Sequence, residues 1–235
     1  MITKNNKVKI IDLGLKSFLS SWEYQDQLFD SIISVKVSNR KTKKKSLTNN
    51  YMVFVEHPAV YTLGKSGKIE NLLVDKKVLN ENNIEFYKIN RGGDITFHGP
   101  GQIVCYPILD LDNFFTDIHK YLRFLEEVVI ETLNDYGIKS QSKKGETGVW
   151  VKDKKSNFFK ICAIGVRASR WVTMHGFALN VNTDLNYFNK IIPCGIKDKG
   201  VTSMKKELGK VLIKDSIKEK IQYYFSKKFQ VEFFY

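Results

Sequence analysis

The cysteine in the run Ile191–Gly195, which reads IIPCG, is the residue whose surroundings most directly suggest covalent chemistry. Cys194 stands between a proline, whose φ angle is fixed, and a glycine, which tolerates unusual backbone angles, so a turn would present its side chain. A thiol is a useful nucleophile only as a thiolate, and its ordinary pKa of about 8.5 must be lowered by a nearby cation or base. An ordinary turn cysteine fits the same pattern, so the chemistry depends on a partner group.

A lysine in an apolar strand is a candidate for that group. Lys160 opens the run KICAIGV, and the two-residue period of a strand would place Lys160, Cys162 and Ile164 on one face. An ammonium could lower the pKa of the thiol, and a neutral amine could accept a proton. The polar end of a hairpin explains the same lysine, and the pattern alone does not bring Lys160 and Cys194 together in space.

The glycine-rich stretch Arg91–Gln102, RGGDITFHGPGQ, suggests a binding loop. It lacks the GK[ST] ending of a phosphate loop and does not open a helix, so neither nucleotide fingerprint applies. Glycines beside Arg91 and His98 suggest close approach of the backbone to a ligand, although a plain β-turn gives the same pattern. His175-Gly176 repeats the pairing of histidine with glycine at the end of another strand, and either histidine could equally be a hydrogen-bonded structural residue.

The remaining histidines and cysteines indicate neither a metal site nor a disulfide framework. The four histidines are dispersed without ligand spacing, and the three cysteines contain no CxxC pair. Cys105 and Cys162 lie in apolar, strand-like runs, where a cysteine is usually a small core residue. We therefore expect no metal and no cofactor.

Composition and charge narrow the class of protein. A hydrophobic content of 43% in 235 residues is enough to bury a core. The chain has no apolar run of the ~20 residues that span a bilayer, and its start lacks the features of a secretory signal, so we expect a cytoplasmic protein. The net charge of +13 would attract an acidic partner, either nucleic acid or protein. The densest basic run, Lys41–Lys45, is predicted to be part of a solvated surface loop at about 40–50.

Short strand-like runs alternate with a few helical stretches, without a repeat or a linker, which favours a single α/β (α+β) domain over residues 1–235 with mixed sheets flanked by helices. The stretch 201–235 could pack as a small C-terminal appendage. The predicted helices are Ser17–Val37, Asp117–Tyr136 and a last one near Ile213–Ser226; the predicted strands include KVKIIDL, GVWVK, FKICAIGVR, WVTMHGFALNV and FQVEFF.

In order and spacing, RGGDITFHGPGQIVCYPILDL, GVWV, KICAIGVR, HGFALNV and IIPCGI resemble the lipoyl(octanoyl) transferase family over most of residues 56–196. The resemblance implies the fold of the biotin and lipoate ligase catalytic domain. It also implies that Cys194 is the acyl-thioester nucleophile and that Lys160 lowers the pKa of its thiol and transfers protons. The substrate-binding residues implied by the same matching are Arg91, Gly92, Gly93, Asp94, Ile95, Thr96, Phe97, His98, Ala163, Ile164, Gly165, Gly176, Phe177 and Ala178.

The family's activity, carried over as an expectation, is transfer of an octanoyl group from octanoyl-acyl carrier protein to a lysine of a lipoyl domain. The expected acceptors are the lipoyl domains of 2-oxo acid dehydrogenase acyltransferase subunits and the glycine cleavage H protein. A thioester donor needs no ATP, and neither a membrane nor a nucleic acid is an expected partner. Because the acceptors and the carrier protein are acidic as families, the net charge of +13 fits this reading.

Some positions depart from the family's pattern, and two rival functions remain. Asp94 and Phe97 stand where glutamine and tyrosine are also common, and Cys162 stands where a small residue such as alanine is expected. An ATP-dependent lipoate or biotin ligase would share the fold but needs no cysteine nucleophile. A basic nucleic-acid-binding module is the alternative without catalysis, and it would show salt-sensitive binding to DNA or RNA.

Overall fold

The computed structural model describes residues 4–42, 46–192 and 200–235. Cys194 and residues 43–45 of the predicted basic loop lie outside the described residues. The strands are β1 (Lys7–Leu15), β2 (Tyr51–Glu56), β3 (Val60–Leu63), β4 (Glu85–Lys88), β5 (Ile95–His98), β6 (Gln102–Ile108), β7 (Ser140–Lys143), β8 (Glu146–Lys152), β9 (Phe158–Ser169), β10 (Val172–Asn180), β11 (Gly200–Val201) and β12 (Glu232–Phe234).

The strands form two sheets. The larger has the order β12-β1-β2-β6-β10-β9-β8-β7, and β11 pairs with β9 off this path. In this sheet β1 is parallel to β12 and β2, and β11 is parallel to β9. All other neighbours in the sheet, from β2 through β6, β10, β9 and β8 to β7, pair antiparallel. The smaller sheet has the order β4-β3-β5, with one parallel and one antiparallel pair. This mixed architecture confirms the predicted fold class.

Helices cover both faces of the larger sheet. They are α1 (Phe18–Lys41), α3 (Ile118–Asp135), α4 (Met204–Leu208) and α5 (Lys214–Phe229), whereas α2 (Lys76–Glu81) packs with the smaller sheet. Alternate residues of β2 enter different cores: Met52 and Phe54 pack with α3 and α5, whereas Val53 and Val55 pack with α1. No helix of the described ranges is both long enough and apolar enough to span a membrane.

The predicted helices are confirmed, and capping explains where α1 and α3 begin. The side chain of Ser17 accepts a hydrogen bond from the Ser20 N–H at the start of α1, and that of Asp117 accepts one from the Lys120 N–H at the start of α3. The short elements α2, α4 and β7 were not predicted, since a few residues carry too little periodicity. Residues 200–235 belong to the common core: α5 packs against α3, β11 pairs with β9, and β12 pairs with β1.

The predicted shared face of Lys160 and Cys162 is wrong, because a bulge interrupts β9. On β8, Val149 pairs with Cys162, but the next residue, Trp150, pairs with Lys160. Ile161 therefore has no partner on β8 and is the additional residue of a β-bulge. Because Val149 and Trp150 face opposite sides of the sheet, their partners Cys162 and Lys160 also face opposite sides. The bulge buries Cys162 in the core and leaves Lys160 with Trp150 on the other face.

Candidate active site

A cavity of about 510 Å³ lies between the two sheets, within the usual size range of small-ligand sites. The glycine-rich turn before β5 forms one wall, and β9 and β10 form the other. Lys160 lines the same cavity. So do the following residues that the resemblance assigned to substrate binding: Arg91, Gly92, Gly93, Asp94, Ile95, Thr96, His98, Ala163, Ile164, Gly165, Gly176, Phe177 and Ala178.

The buried guanidinium of Arg91 fixes the glycine-rich turn. Its Nη2 donates to the carbonyl oxygen of Thr62 at 2.7 Å and to the Thr62 hydroxyl at 3.0 Å, and its Nη1 donates to the carbonyl oxygen of Gly92. The Gly92 N–H donates to the Val166 carbonyl oxygen at 2.9 Å, which joins the turn to β9. A Cβ on Gly165 would come within 2.9 Å of the Gly92 oxygen, so this approach requires glycine.

A chain of buried amides connects His98 with the strand of Lys160. His98 Nδ1 and Gln102 Oε1 are 2.8 Å apart, Gln102 Nε2 donates to Asn180 Oδ1 at 2.8 Å, and Asn180 Nδ2 donates to the Thr202 carbonyl oxygen. The Thr202 N–H in turn donates to the Lys160 carbonyl oxygen. The amide oxygen of Gln102 can only accept a hydrogen bond, so His98 Nδ1 must be the donor and carries the proton.

Three of the four histidines are buried and neutral. Burial lowers the pKa of His57 to about 4, of His98 to about 3 and of His175 to about 3. His57 donates from Nδ1 to the Lys16 carbonyl oxygen and accepts at Nε2 from the hydroxyl of Tyr106, both at 2.8 Å. These imidazoles line or support the cavity as polar but uncharged groups.

His175 combines an unusual backbone with an unsatisfied side chain. Its φ angle is +59° inside β10, and its N–H donates to Gln25 Oε1 at 3.1 Å. Its Nε2 is buried, and no hydrogen-bond partner for it exists among residues 4–42, 46–192 and 200–235. His175 is also one of the residues that line the cavity.

The side chain of Lys160 lies across β8. Its Nζ donates to the Thr147 carbonyl oxygen at 3.3 Å and stands 4.6 Å from the centre of the Trp150 ring, close enough for a cation–π interaction. Gly148 makes room for the aliphatic stem, since a Cβ there would lie 3.3 Å from Lys160 Cε. The lysine is thus held half-buried at the cavity wall.

Phe97 and Cys162 lie away from the cavity. Phe97 is fully buried on the other side of β5 and stacks on Tyr187, with ring centres 4.4 Å apart. Cys162 is fully buried, and burial raises the pKa of its thiol, which makes it a poor nucleophile. Cys105 is also buried in the same core, as predicted for both cysteines.

The described residues that flank Cys194 bond to the segment after β3 on one side and to β9 on the other. The Leu73 N–H donates to the Lys190 carbonyl oxygen, and the Ile192 N–H donates to the Asn71 carbonyl oxygen at 2.8 Å. After Cys194, Val201 pairs with Lys160 and lines the cavity.

Several lining or supporting residues were not singled out from the sequence. Asn180 lies in the quoted run HGFALNV, and the pairing of β10 with β6 and β9 explains its inward position. Tyr106, Thr147 and Glu126 stand in ordinary strand or helix patterns that carry no signal of a site. Among the residues that the structure describes, no group of three His, Cys, Asp or Glu side chains could hold a metal ion.

Comparison with known proteins places this arrangement in a family. The model of the lipoyl protein ligase A/B catalytic domain matches residues 19–226. The chain belongs to this family. An octanoyltransferase of Christiangramia forsetii is 59% identical over 98% of this chain and 99% of its own length, and one of Flavobacterium johnsoniae is 58% identical over 97% and 99%. The resemblance found in the motifs is thereby confirmed.

Solved structures share the fold at low sequence identity. A bi-partite lipoate protein ligase from Thermoplasma acidophilum superimposes with a TM-score of 0.68 at 15% identity, covering 98% of this chain and 86% of its own. A lipoate-protein ligase A bound with ATP gives 0.67 at 17%, covering 98% and 87%. A biotin protein ligase from Aquifex aeolicus gives 0.51 at 15%, covering 96% and 70%. The predicted relation to the ligase fold is confirmed.

Proposed function

We propose that this chain transfers an octanoyl group from octanoyl-acyl carrier protein to a lysine of a lipoyl domain, with Cys194 as the nucleophile and Lys160 as the group that activates it. The observation that carries the proposal is that Lys160 and the expected substrate-binding segments line one cavity. Lys160 lines it together with the glycine-rich turn and with the facing segments of β9 and β10. Relatives of nearly equal length, up to 59% identical, bear the name octanoyltransferase.

In the first half-reaction the Cys194 thiolate attacks the thioester carbonyl of the donor. The new carbon–sulfur bond forms as the carrier's thiolate leaves, and that thiolate takes a proton from the ammonium of Lys160. Exchange of one thioester for another has little net free-energy change, so ATP is not required. The ion pair with an ammonium lowers the pKa of the Cys194 thiol and so keeps the nucleophile charged near neutral pH.

In the second half-reaction the neutral amine of Lys160 takes a proton from the acceptor lysine, whose ordinary pKa of about 10.4 otherwise keeps it unreactive. The freed amine attacks the acyl-enzyme, an amide bond forms and the Cys194 thiolate leaves. The nitrogen of the new amide then loses its second proton to solvent. Lys160 thus ends as an ammonium, ready for another cycle.

The acceptors we propose are the lipoyl domains of 2-oxo acid dehydrogenase acyltransferase subunits and the glycine cleavage H protein. The Thermoplasma acidophilum lipoate protein ligase is described together with its E2 lipoyl domain, which supports a lipoyl-domain acceptor for this chain. The net charge of +13 supports a pair of acidic protein partners.

The test is to incubate the protein with octanoyl-acyl carrier protein, without ATP, and to record intact masses of wild type, Cys194→Ser and Cys162→Ser. We expect an octanoyl adduct that hydroxylamine removes in wild type and Cys162→Ser, and no adduct in Cys194→Ser. If all three proteins stay unmodified while ATP and free octanoic acid support transfer to a lipoyl domain, the chain is an ATP-dependent ligase instead.

A further inference from the structure

A carboxylate on α3 is buried where a helix facing a sheet usually presents an apolar side chain. Glu126 is completely inaccessible to solvent and stands between Leu125 and Val128, both of which are core residues. Burying a charged group is costly unless partners compensate. The partners of Glu126 therefore indicate its role.

Glu126 and Lys160 bind opposite ends of the same peptide group. Glu126 Oε1 accepts the Gly148 N–H at 2.9 Å, and Lys160 Nζ donates to the Thr147 carbonyl oxygen at 3.3 Å. These two groups belong to the Thr147–Gly148 peptide, whose N–H and C=O point in opposite directions when it is trans. A carboxylate at the N–H and an ammonium at the C=O polarise the peptide in the same sense, so each strengthens the other's hydrogen bond.

Gly148 also places this peptide directly against the lysine. Its φ angle is +129°, and a Cβ at this position would lie 2.7 Å from the Cys162 oxygen and 3.3 Å from Lys160 Cε. The ring of Trp150 lies 4.6 Å from Nζ and favours the ammonium form. The lysine is therefore confined between the peptide and the ring.

The charges around Glu126 act on its pKa in the directions that this geometry implies. Burial raises the pKa of Glu126, whereas the Gly148 N–H and the charges of Arg123 and Lys160 act against that rise. Arg123 Nη1 lies 2.6 Å from Glu126 Oε2. The other charged or titratable groups on the elements around this peptide are His119, Lys120, Tyr121, Glu127, Glu131 and Asp135 on α3, Lys143, Lys144, Glu146 and Lys152 on the β7–β8 hairpin, and Cys162 and Arg167 on β9.

We propose that Glu126 is a positioning residue for the acyl transfer, which holds Lys160 in place and favours its ammonium form through the Thr147–Gly148 peptide. This inference rests on the proposed catalytic role of Lys160. Nothing in the sequence motifs or in the proposed half-reactions assigns a role to Glu126.

Three substitutions separate the charge from the hydrogen bond. Glu126→Gln keeps an oxygen that can accept the Gly148 N–H but removes the charge, Glu126→Leu removes both, and Glu126→Asp keeps the charge with a shorter reach. The matched control is Glu127→Gln on the same helix, since Glu127 is half-exposed and pairs with Lys228 on α5. The thermal unfolding midpoint of each variant is measured first, and rates are expressed per folded active site.

The readout is the pH dependence of the two half-reactions in single-turnover experiments, with octanoyl-acyl carrier protein as donor and a lipoyl domain as acceptor. Loss of the negative charge makes the ammonium of Lys160 less favourable relative to its neutral amine. In Glu126→Gln we expect both profiles to move toward lower pH by about half a unit or more. In Glu126→Leu we expect the transfer rate to fall about tenfold or more, with little change in KM for the lipoyl domain. Glu126→Asp should restore part of the rate.

The outcome that overturns the inference is a wild-type pH profile and a wild-type rate per folded site in both Glu126→Gln and Glu126→Leu, even if Glu126→Leu unfolds at a lower temperature. Such a result would make Glu126 a purely structural residue. Lys160→Met serves as the reference for the underlying mechanism. If Lys160→Met transfers octanoyl groups as fast as wild type, the proposed role of Lys160 fails; if it is inactive while the Glu126 variants behave as wild type, only the present inference fails.

Discussion

At the scale of single residues, the site depends on glycines that let other groups approach. Gly165 on β9 faces the glycine-rich turn, and a Cβ there would meet the Gly92 oxygen at 2.9 Å and Arg91 Cδ at 3.1 Å. Gly92 itself is less restricted, since its Cβ would lie 3.4 Å from the nearest atom, the Val166 oxygen. Two glycines on facing walls of the cavity thus differ in what they tolerate.

Gly165→Ala should therefore push the turn away from β9 and narrow the cavity. We expect the free energy of unfolding to fall by about 1–3 kcal/mol, as for other overpacked sites, and KM for the octanoyl donor to rise. Chemical denaturation and donor-dependent kinetics measure the two effects. Gly92→Ala is the matched control for stability and should change it by less than about 1 kcal/mol. Equal losses in the two variants would show that the contact at Gly165 has no special importance.

At the scale of elements, the loop after β3 is tied both to the glycine-rich turn and to the segment that precedes Cys194. Asn71 Nδ2 donates to Asp94 Oδ2 at 2.6 Å, while the Asn71 carbonyl oxygen accepts the Ile192 N–H at 2.8 Å. Asp94 also accepts the Ile95 N–H. The loop thus couples the binding turn to the chain just before the proposed nucleophile.

Asn71→Ala should release this connection without opening the core. We expect the rate of Cys194 acylation to fall severalfold while the free energy of unfolding changes by about 1 kcal/mol, the usual value of one hydrogen bond. Asp94→Ala removes the same hydrogen bond and also the one from the Ile95 N–H, so its losses should be larger. The double variant should be no worse than Asp94→Ala alone, because the bond that Asn71→Ala removes is already lost. Stopped-flow acylation and denaturation measure these quantities. Fully additive losses in the double variant would mean that the two side chains act separately.

At the scale of the whole molecule, buried histidines make the fold sensitive to acid. His57, His98 and His175 have folded pKa values of about 4, 3 and 3, below the ordinary value of 6.5. Their neutral forms are favoured in the folded state, so this contribution to stability is complete above about pH 6.5 and is lost as the pH falls toward the folded pKa values. The aromatic ring of Phe18 contacts both His57 and His98, which shows how closely packed these imidazoles are.

The free energy of unfolding should therefore fall between about pH 7 and pH 5 by on the order of 2 kcal/mol for each histidine. Denaturation at a series of pH values measures the slope. His57→Gln should reduce that slope by up to about 1.4 kcal/mol per pH unit, whereas His119→Gln, which changes an exposed residue of α3, should leave it unchanged. An identical acid slope in His57→Gln would contradict the assignment.

The net charge of +13 also acts on the molecule as a whole. If the carrier protein and lipoyl domain are acidic, kcat/KM for each should fall severalfold between low and about 0.3 M salt, with little change in kcat. An uncharged octanoyl thioester of a small thiol is the control and should show no such dependence. Salt-independent kcat/KM with the protein substrates would indicate that long-range attraction plays no part.

The sequence by itself determined the family, the long helices and most strands of this protein. Apolar periodicity and the capping residues Ser17 and Asp117 are local signals, and each motif carries its glycines and polar residues within a few positions. The motifs also led to the segments that line the cavity. These features were accessible because each depends on neighbours along the chain.

Only the tertiary structure decided how those segments meet. The bulge at Ile161, which separates Lys160 from Cys162, arises from the pairing of two strands and leaves no mark in the alternation of residue types. The link from Glu126 to Lys160 runs through a peptide group of a third element, and peptide groups have no sequence signature. Contacts between residues distant in sequence are set by packing, and local periodicity carries no information about which of them form.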